Sequence, residues 1–214
     1  MAWFKKIATN ILPLSKESYN AHKALKEWEY RGDIYDLKNA YGRCDLCGNF
    51  GVRYQFKIIN KYTKKHLWVG SECISNFKIK VITDSGEKIQ GEKAKKQVRK
   101  DKRKVIINAK AKDVLNALLR LSSKDKEFDI EGFINYYQQR GAFTPQQLLT
   151  IFWRFKKYNI YFKKKSFKLT IKKKKEREQL LSYDDWQIKK IYPCLSNYQK
   201  KLLIEERKSK KNKK

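Results

Sequence analysis

Between Val52 and Ile58 the chain alternates: Val52, Tyr54, Phe56 and Ile58 interleave with Arg53, Gln55 and Lys57. A period of two marks a strand with one buried face. Asn60 to Lys65 is polar enough to turn the chain, and Leu67-Trp68-Val69 returns as a second strand, so the pair predicts a β-hairpin. Gly70-Ser71 then precedes a short helix carrying Ile74 and Phe77. Upstream, Trp3, Ile7 and Ile11 recur at helical spacing in a basic amphipathic segment expected to dock on the protein's own core. Ser15 is placed to cap a helix carrying Tyr19, Ala24, Leu25 and Trp28, which Arg31-Gly32-Asp33 breaks.

Downstream the pattern is helical. Good helix formers run through EKIQGEKAKKQVRKDKRKV, with Gly91 as the weak point. Val105, Val114, Leu115, Leu118 and Leu119 add an apolar face, so one long basic helix or two are expected. A helix ends near Gly141. The next starts at a capping box, with Thr144 as N-cap, Pro145 at the first position and Gln147 completing T-x-x-Q. Leu148, Leu149, Phe152 and Phe155 form its buried face. Ser196–Gln199 is a second such box, opening a final helix that frays into ERKSKKNKK. This reading divides the chain into an N-terminal helical segment (1–40), a β-hairpin module (41–80), a basic helix or linker (81–112), a helical domain (113–206) and a disordered basic tail (207–214).

Charge changes the picture. The 214 residues carry 52 Lys+Arg against 22 Asp+Glu, a net +30. Residues 1–80 hold 15 basic and 7 acidic side chains, and residues 81–214 hold 37 and 15. Self-repulsion of that size opposes compaction, so a polyanion that relieves it is the expected partner. DNA or RNA, bound through phosphates by counterion release, is the first candidate. The candidate contacts fall in two clusters. One is Lys93, Lys95, Lys96, Arg99, Lys100, Lys102, Arg103 and Lys104; the other is Lys163, Lys164, Lys165, Lys172, Lys173, Lys174 and Lys175. In WRFKKYNIYFKKKSFK, Tyr158, Tyr161 or Phe162 are placed to stack bases or to join the core. No recognition-helix fingerprint points to sequence-specific readout.

The cysteines supply the candidate chemistry. Cys44 and Cys47 form C-x-x-C-G with Gly48, and Cys73 follows the second strand. Such a turn offers two thiolates to zinc. A hairpin closed between residues 48 and 73 brings its two ends together, so Cys44, Cys47 and Cys73 are expected to share one Zn2+. The order of knuckle, hairpin and helix predicts an α+β protein: a small zinc-ribbon or treble-clef-like β-hairpin module with a mainly α-helical, basic C-terminal region. The fourth ligand is open. His66 sits beside the turn, at the end of the hairpin away from the thiols; Cys194, His22, an oxygen donor such as Glu72, or water are the alternatives. Redox use of the C-x-x-C would need a βαβ context, and a hairpin follows instead.

CDLCGNFGVRYQFKIIN and LWVGSECI are similar to a pattern in uncharacterised zinc-binding proteins of bacteriophages and mobile elements: C-x-x-C-G, an I/L/V-R-Y strand, an Asn near the turn, and V-G-x-x-C. GAFTPQQL resembles a segment downstream in the same proteins. Some members read V-G-C-x-C, with a cysteine where Ser71 stands here, which leaves this chain one thiolate short of their set. The resemblance implies zinc binding and a bacterial host cell.

Unpaired cysteines fit a reducing, cytoplasmic compartment. No window approaches the ~18 apolar residues of a membrane span, so no membrane partner is expected. Phosphate-binding loops, dinucleotide fingerprints and hydrolase motifs are absent from the sequence. The reading is therefore a non-enzymatic, zinc-stabilised nucleic-acid-binding protein. One alternative is a phage protein that binds and modulates a host nucleoprotein machine. Another is a metal-dependent nuclease using Asp184 and Asp185, although two acids at a helix start more simply face its dipole.

Overall fold

The computed structural model describes residues 2–211; the side chains of residues 2, 3 and 208–211 are not described. The protein is α+β and mostly helical, with a five-stranded sheet and nine α-helices among the described residues. It divides into two compact units, Met1–Ile106 and Ile107–Lys214.

The first unit is built on the sheet, in the order β3-β2-β1-β4-β5. β1 (Trp28–Asp36) pairs antiparallel with β2 (Tyr54–Asn60), which pairs antiparallel with β3 (His66–Val69). β4 (Lys80–Ile82) joins β1 in parallel, and β5 (Lys88–Ile89) returns beside it. The predicted hairpin is thus present as β2 and β3, but it is two strands of a larger sheet. Trp28, Tyr30, Phe56, Ile58, Val69 and Val81 form one buried core with Ile7 and Ile11 of α1 (Ala2–Ile11) and Ala24 and Leu25 of α2 (Ala21–Leu25). α1 therefore docks inward, as its stripe predicts; Trp3 lies outside the described side chains.

Two local readings are corrected here. The helix expected to reach Trp28 stops at Leu25, its cap being Asn20 rather than Ser15, and Trp28 opens β1. Arg31-Gly32-Asp33 is not a terminator but an irregularity inside that strand: the register with β2 shifts between Tyr30 and Ile34, and Gly32 takes φ +98°. Second, part of the stretch read as basic helix or linker is sheet. Lys80–Ile82 and Lys88–Ile89 form an edge hairpin around Asp84-Ser85-Gly86, closed by Gly86 N donating to Thr83 O at 2.8 Å. Short paired strands carry too few residues to show a period.

Asn60 organises the β2–β3 turn. Its Oδ1 accepts from the backbone N–H groups of Tyr62 (2.9 Å) and Thr63 (3.0 Å). Its Nδ2 donates to the buried Glu27 carboxylate at 2.8 Å. Glu27 also accepts from the N–H groups of Lys16 and Glu17, so one carboxylate ties the turn to the chain leading into α2.

α4 (Gly91–Lys124) is a single 34-residue helix that begins in the first unit and ends in the second. Gly91, the weak point of the sequence pattern, is its first residue, with φ +61°, where a helix start tolerates it. The second unit packs α5 (Ile130–Arg140), α6 (Pro145–Lys157), α7 (Lys174–Ser182), α8 (Asp185–Ile191) and α9 (Asn197–Lys211) with the last turns of α4; α3 (Ser71–Asn76) belongs to the first. Both capping boxes form: Gln147 N donates to Thr144 Oγ1 at 3.2 Å, and Gln199 N to Ser196 Oγ at 3.3 Å. Leu118, Phe143, Leu148, Phe155, Phe167, Leu180 and Ile191 fill the core. The extended stretch before α7 is stitched into it, with Phe143 N donating to Lys168 O and Gln199 Nε2 to Leu169 O. The tail expected to be disordered from residue 207 is instead helix as far as Lys211, where α9 ends; residues 212–214 lie outside the described residues.

Candidate functional site

The knuckle before β2 is shaped by its backbone. Cys44 N donates to Asn49 O at 2.9 Å and Gly48 N to Cys44 O at 2.8 Å, with Gly48 at φ +77°. Gly42 bridges to Val52 so closely that a Cβ there would lie 2.3 Å from the Val52 carbonyl oxygen. The knuckle is pinned from two sides. Asp45 N donates to Trp68 O while Trp68 N donates to Asp45 Oδ2, and Asn10 of α1 donates to Leu46 O.

α3 completes the site. Gly70 caps it, and Cys73 in its first turn places Sγ 3.5 Å from Cys44 Sγ and 3.3 Å from Cys47 Sγ. All three sulfurs lie within 4.8 Å of one another and all three residues are buried, a group able to hold a metal ion. Among the described residues it is the one such group of three or more ligating side chains.

The electrostatics prepare it for a cation. The hydrogen bond with Cys73, joined by the N–H groups of Cys47, Gly70 and Leu46, outweighs burial and holds the Cys44 thiol below its ordinary value. Cys73 is pushed up, first by that same bond and then by burial and the neighbouring sulfur charge. Thiolates gathered in a core without a cation repel one another, and a metal replaces the shared protons.

The other candidate ligands lie elsewhere. His66 is the exposed first residue of β3, paired with Ile59; at ~3.3 Å per residue the strand carries it about 10 Å from Val69. His22 is exposed and stacks on Phe4 at 4.5 Å. Cys194 belongs to the second unit, where its thiol donates to Lys164 O at 3.3 Å and burial pushes its pKa up to about 12. Glu72 and Ser71 stand on the first turn of α3; with Ser75, Lys95 and Arg99 they line a cavity of about 210 Å³.

That cavity lies between α3 and the basic helix. Within the first unit α4 buries Ala94 and Val98, and Asp101 accepts from the Tyr30 hydroxyl at 3.2 Å. At 100° per residue the opposite face carries Lys93, Lys96, Arg99, Lys100, Arg103 and Lys104, all exposed and none within 4.0 Å of a carboxylate among the described residues. Two predicted contacts sit differently. Lys95 pairs with Glu92 at 2.7 Å, and Lys102 lies over the Tyr54 ring at 5.1 Å. In the second unit Lys163, Lys164, Lys165 and Lys172–Lys175 are all exposed, around a short 3-10 turn and the start of α7. Phe162 is withdrawn from any stacking role by ring contacts with Phe152 (4.8 Å) and Phe155 (4.6 Å), whereas Tyr161 is exposed.

Asp184 caps α8, its N–H donating to Gln187 Oε1 at 3.0 Å, and Asp185 is ion-paired with Arg207. Neither belongs to a cluster of ligating groups among the described residues. No described helix is long and apolar enough to cross a membrane.

No family model, curated protein or solved structure matches the chain.

Proposed function

We propose that the protein binds DNA or RNA through its phosphates, with a structural zinc ion at Cys44, Cys47 and Cys73 fixing the unit that presents the basic helix. The observation that carries the reading is the outer face of α4: six exposed cations over about 16 Å of helix, none within 4.0 Å of a carboxylate among the described residues, on a chain of net +30. Like charges gathered so closely are costly unless a polyanion meets them. Backbone contact by lysine-rich surfaces positions a protein on nucleic acid without reading its bases.

Zinc is the metal that suits a buried all-thiolate donor set. A tetrahedral zinc with Zn–S of ~2.3 Å separates its sulfurs by about 3.8 Å, near the 3.3 and 3.5 Å found. The order of knuckle, β2–β3 hairpin and α3 is that of a zinc ribbon or treble clef, set here into a wider sheet. The fourth position is left to water or an oxygen donor on α3. Zinc supplies folding free energy rather than reactivity. In our reading the setting is a bacterial cytoplasm, as the motif's resemblance to phage and mobile-element proteins implies.

The test is binding of single- and double-stranded DNA and RNA across a salt series. If all six cations engage duplex phosphates, log K against log salt falls with a slope of about −5. Affinity that is absent, or flat from low to moderate salt, overturns the reading.

A further inference from the structure

Tryptophan gains more than most side chains from burial, yet two stand more than half exposed in the second unit: Trp153 on α6 at 55% and Trp186 on α8 at 56%. They line one open cavity of about 310 Å³, together with Leu149 and Thr150. Cations attend both rings. Lys157 Nζ lies 5.4 Å from the Trp153 ring centroid, and Lys190 Nζ lies 4.4 Å from that of Trp186. Asp185, the acid adjacent to Trp186, is neutralised by its pair with Arg207.

We propose that this cleft stacks unpaired nucleobases on Trp153 and Trp186 while Lys157 and Lys190 meet the flanking phosphates, which makes single-stranded DNA or RNA the preferred ligand. This rests on the reading that the protein binds nucleic acid. Every base has a π-face, so ring platforms beside cations grip single strands with little regard to sequence. A duplex hides those faces in its own stack and meets only the lysines. An apolar peptide would use the rings but gain nothing from the paired lysines, and the net +30 selects a polyanion over it.

The experiment compares wild type with Trp153→Ala, Trp186→Ala, the double variant and the double Phe variant. It measures binding of a fluorescent single-stranded 20-mer and of a duplex of the same length at one moderate salt concentration. Wild type should favour the single strand, which should quench its tryptophan fluorescence; Trp28 is fully buried, and because Trp3 and Trp68 also emit, the cleft's share is the quenching lost when Trp153 and Trp186 are replaced. The double Ala variant should bind the single strand about tenfold or more weakly, bind the duplex within twofold of wild type, and lose the quenching. The Phe variant should retain most of the affinity. Single-strand binding unchanged in the double Ala variant, or equal loss for both ligands, overturns the stacking cleft while leaving phosphate binding intact. Wild type that binds no nucleic acid overturns the broader reading as well. A nuclease-resistant protein partner lost with the two rings overturns the choice of ligand. Both rings are more than half exposed, so the double Phe variant should fold as wild type does, and its loss of single-strand affinity would count against stacking.

Discussion

Cys44 and Cys73 stand 29 residues apart in the chain and 3.5 Å apart at their sulfurs. The β2–β3 hairpin makes that approach, since Phe56 pairs with Val69 and the strands leave the knuckle and α3 at the same end. Cys47 closes the triangle at 3.3 Å from Cys73. A metal bound there would link the knuckle to α3.

Protein purified in reducing buffer should carry one zinc per chain by native mass spectrometry. Cys73→Ser should carry little or none and unfold at a markedly lower temperature, because binding free energy at such a site is folding free energy. Cobalt in place of zinc should give a thiolate charge-transfer band. Metal-free protein of unchanged thermal stability would refute the centre.

Thiol reactivity separates the four cysteines. Metal-loaded native protein should react slowly at every cysteine near pH 8: three are ligands, and burial holds Cys194 up to about 12. Chelation should release three reactive thiols, and denaturant a fourth. Alkylation followed by peptide mapping checks the order, and early labelling of Cys194 would contradict its burial.

Glu27 gives a pH dependence with a definite sign. Burial raises its carboxyl, but the donors from Asn60, Lys16 and Glu17 outweigh it and hold the pKa below the ordinary value. A depressed folded pKa contributes stability above the unfolded value near ~4.3 and loses it as pH falls through the folded one. Glu27→Gln should therefore cost about 1–3 kcal/mol at pH 7, with the difference from wild type shrinking below about pH 4. Urea unfolding at a series of pH values measures it. Asn60→Ala should cost a similar amount, having removed the same bond.

The α4 face separates binding from stability. Lys96→Gln, Lys100→Gln and Arg103→Gln together should reduce the salt slope by about 2–3 and leave urea unfolding within about 1 kcal/mol of wild type. Substituting Lys102, which lies over Tyr54, should instead alter stability more than slope. Unchanged salt dependence in the triple variant would remove α4 from the interface.

The hairpin, both capping boxes and the thiol trio were legible because each is local or nearly so. Alternation over Val52–Ile58 fixes a face, T-x-x-Q fixes a start, and a hairpin of known turn brings its ends together. β1 was not legible. Its aromatic residues are split by Arg31-Gly32-Asp33, and a strand with a shifted register looks like a terminated helix until its partner is seen. β4 and β5 were hidden by brevity. Trp153 and Trp186 lie 33 positions apart in sequence, so only the packing of α6 beside α8 brings them to one cleft.

The sequence by itself determined that the protein is α+β, strongly basic, and equipped with three thiols at the ends of one hairpin. These follow from composition, period and short-range chain geometry. Tertiary structure decided that the hairpin is part of a five-stranded sheet, that Trp28 opens a strand rather than closing a helix, and which cations of α4 face outward. Those depend on pairing and burial between distant segments, where free energy comes from surfaces that no local pattern encodes.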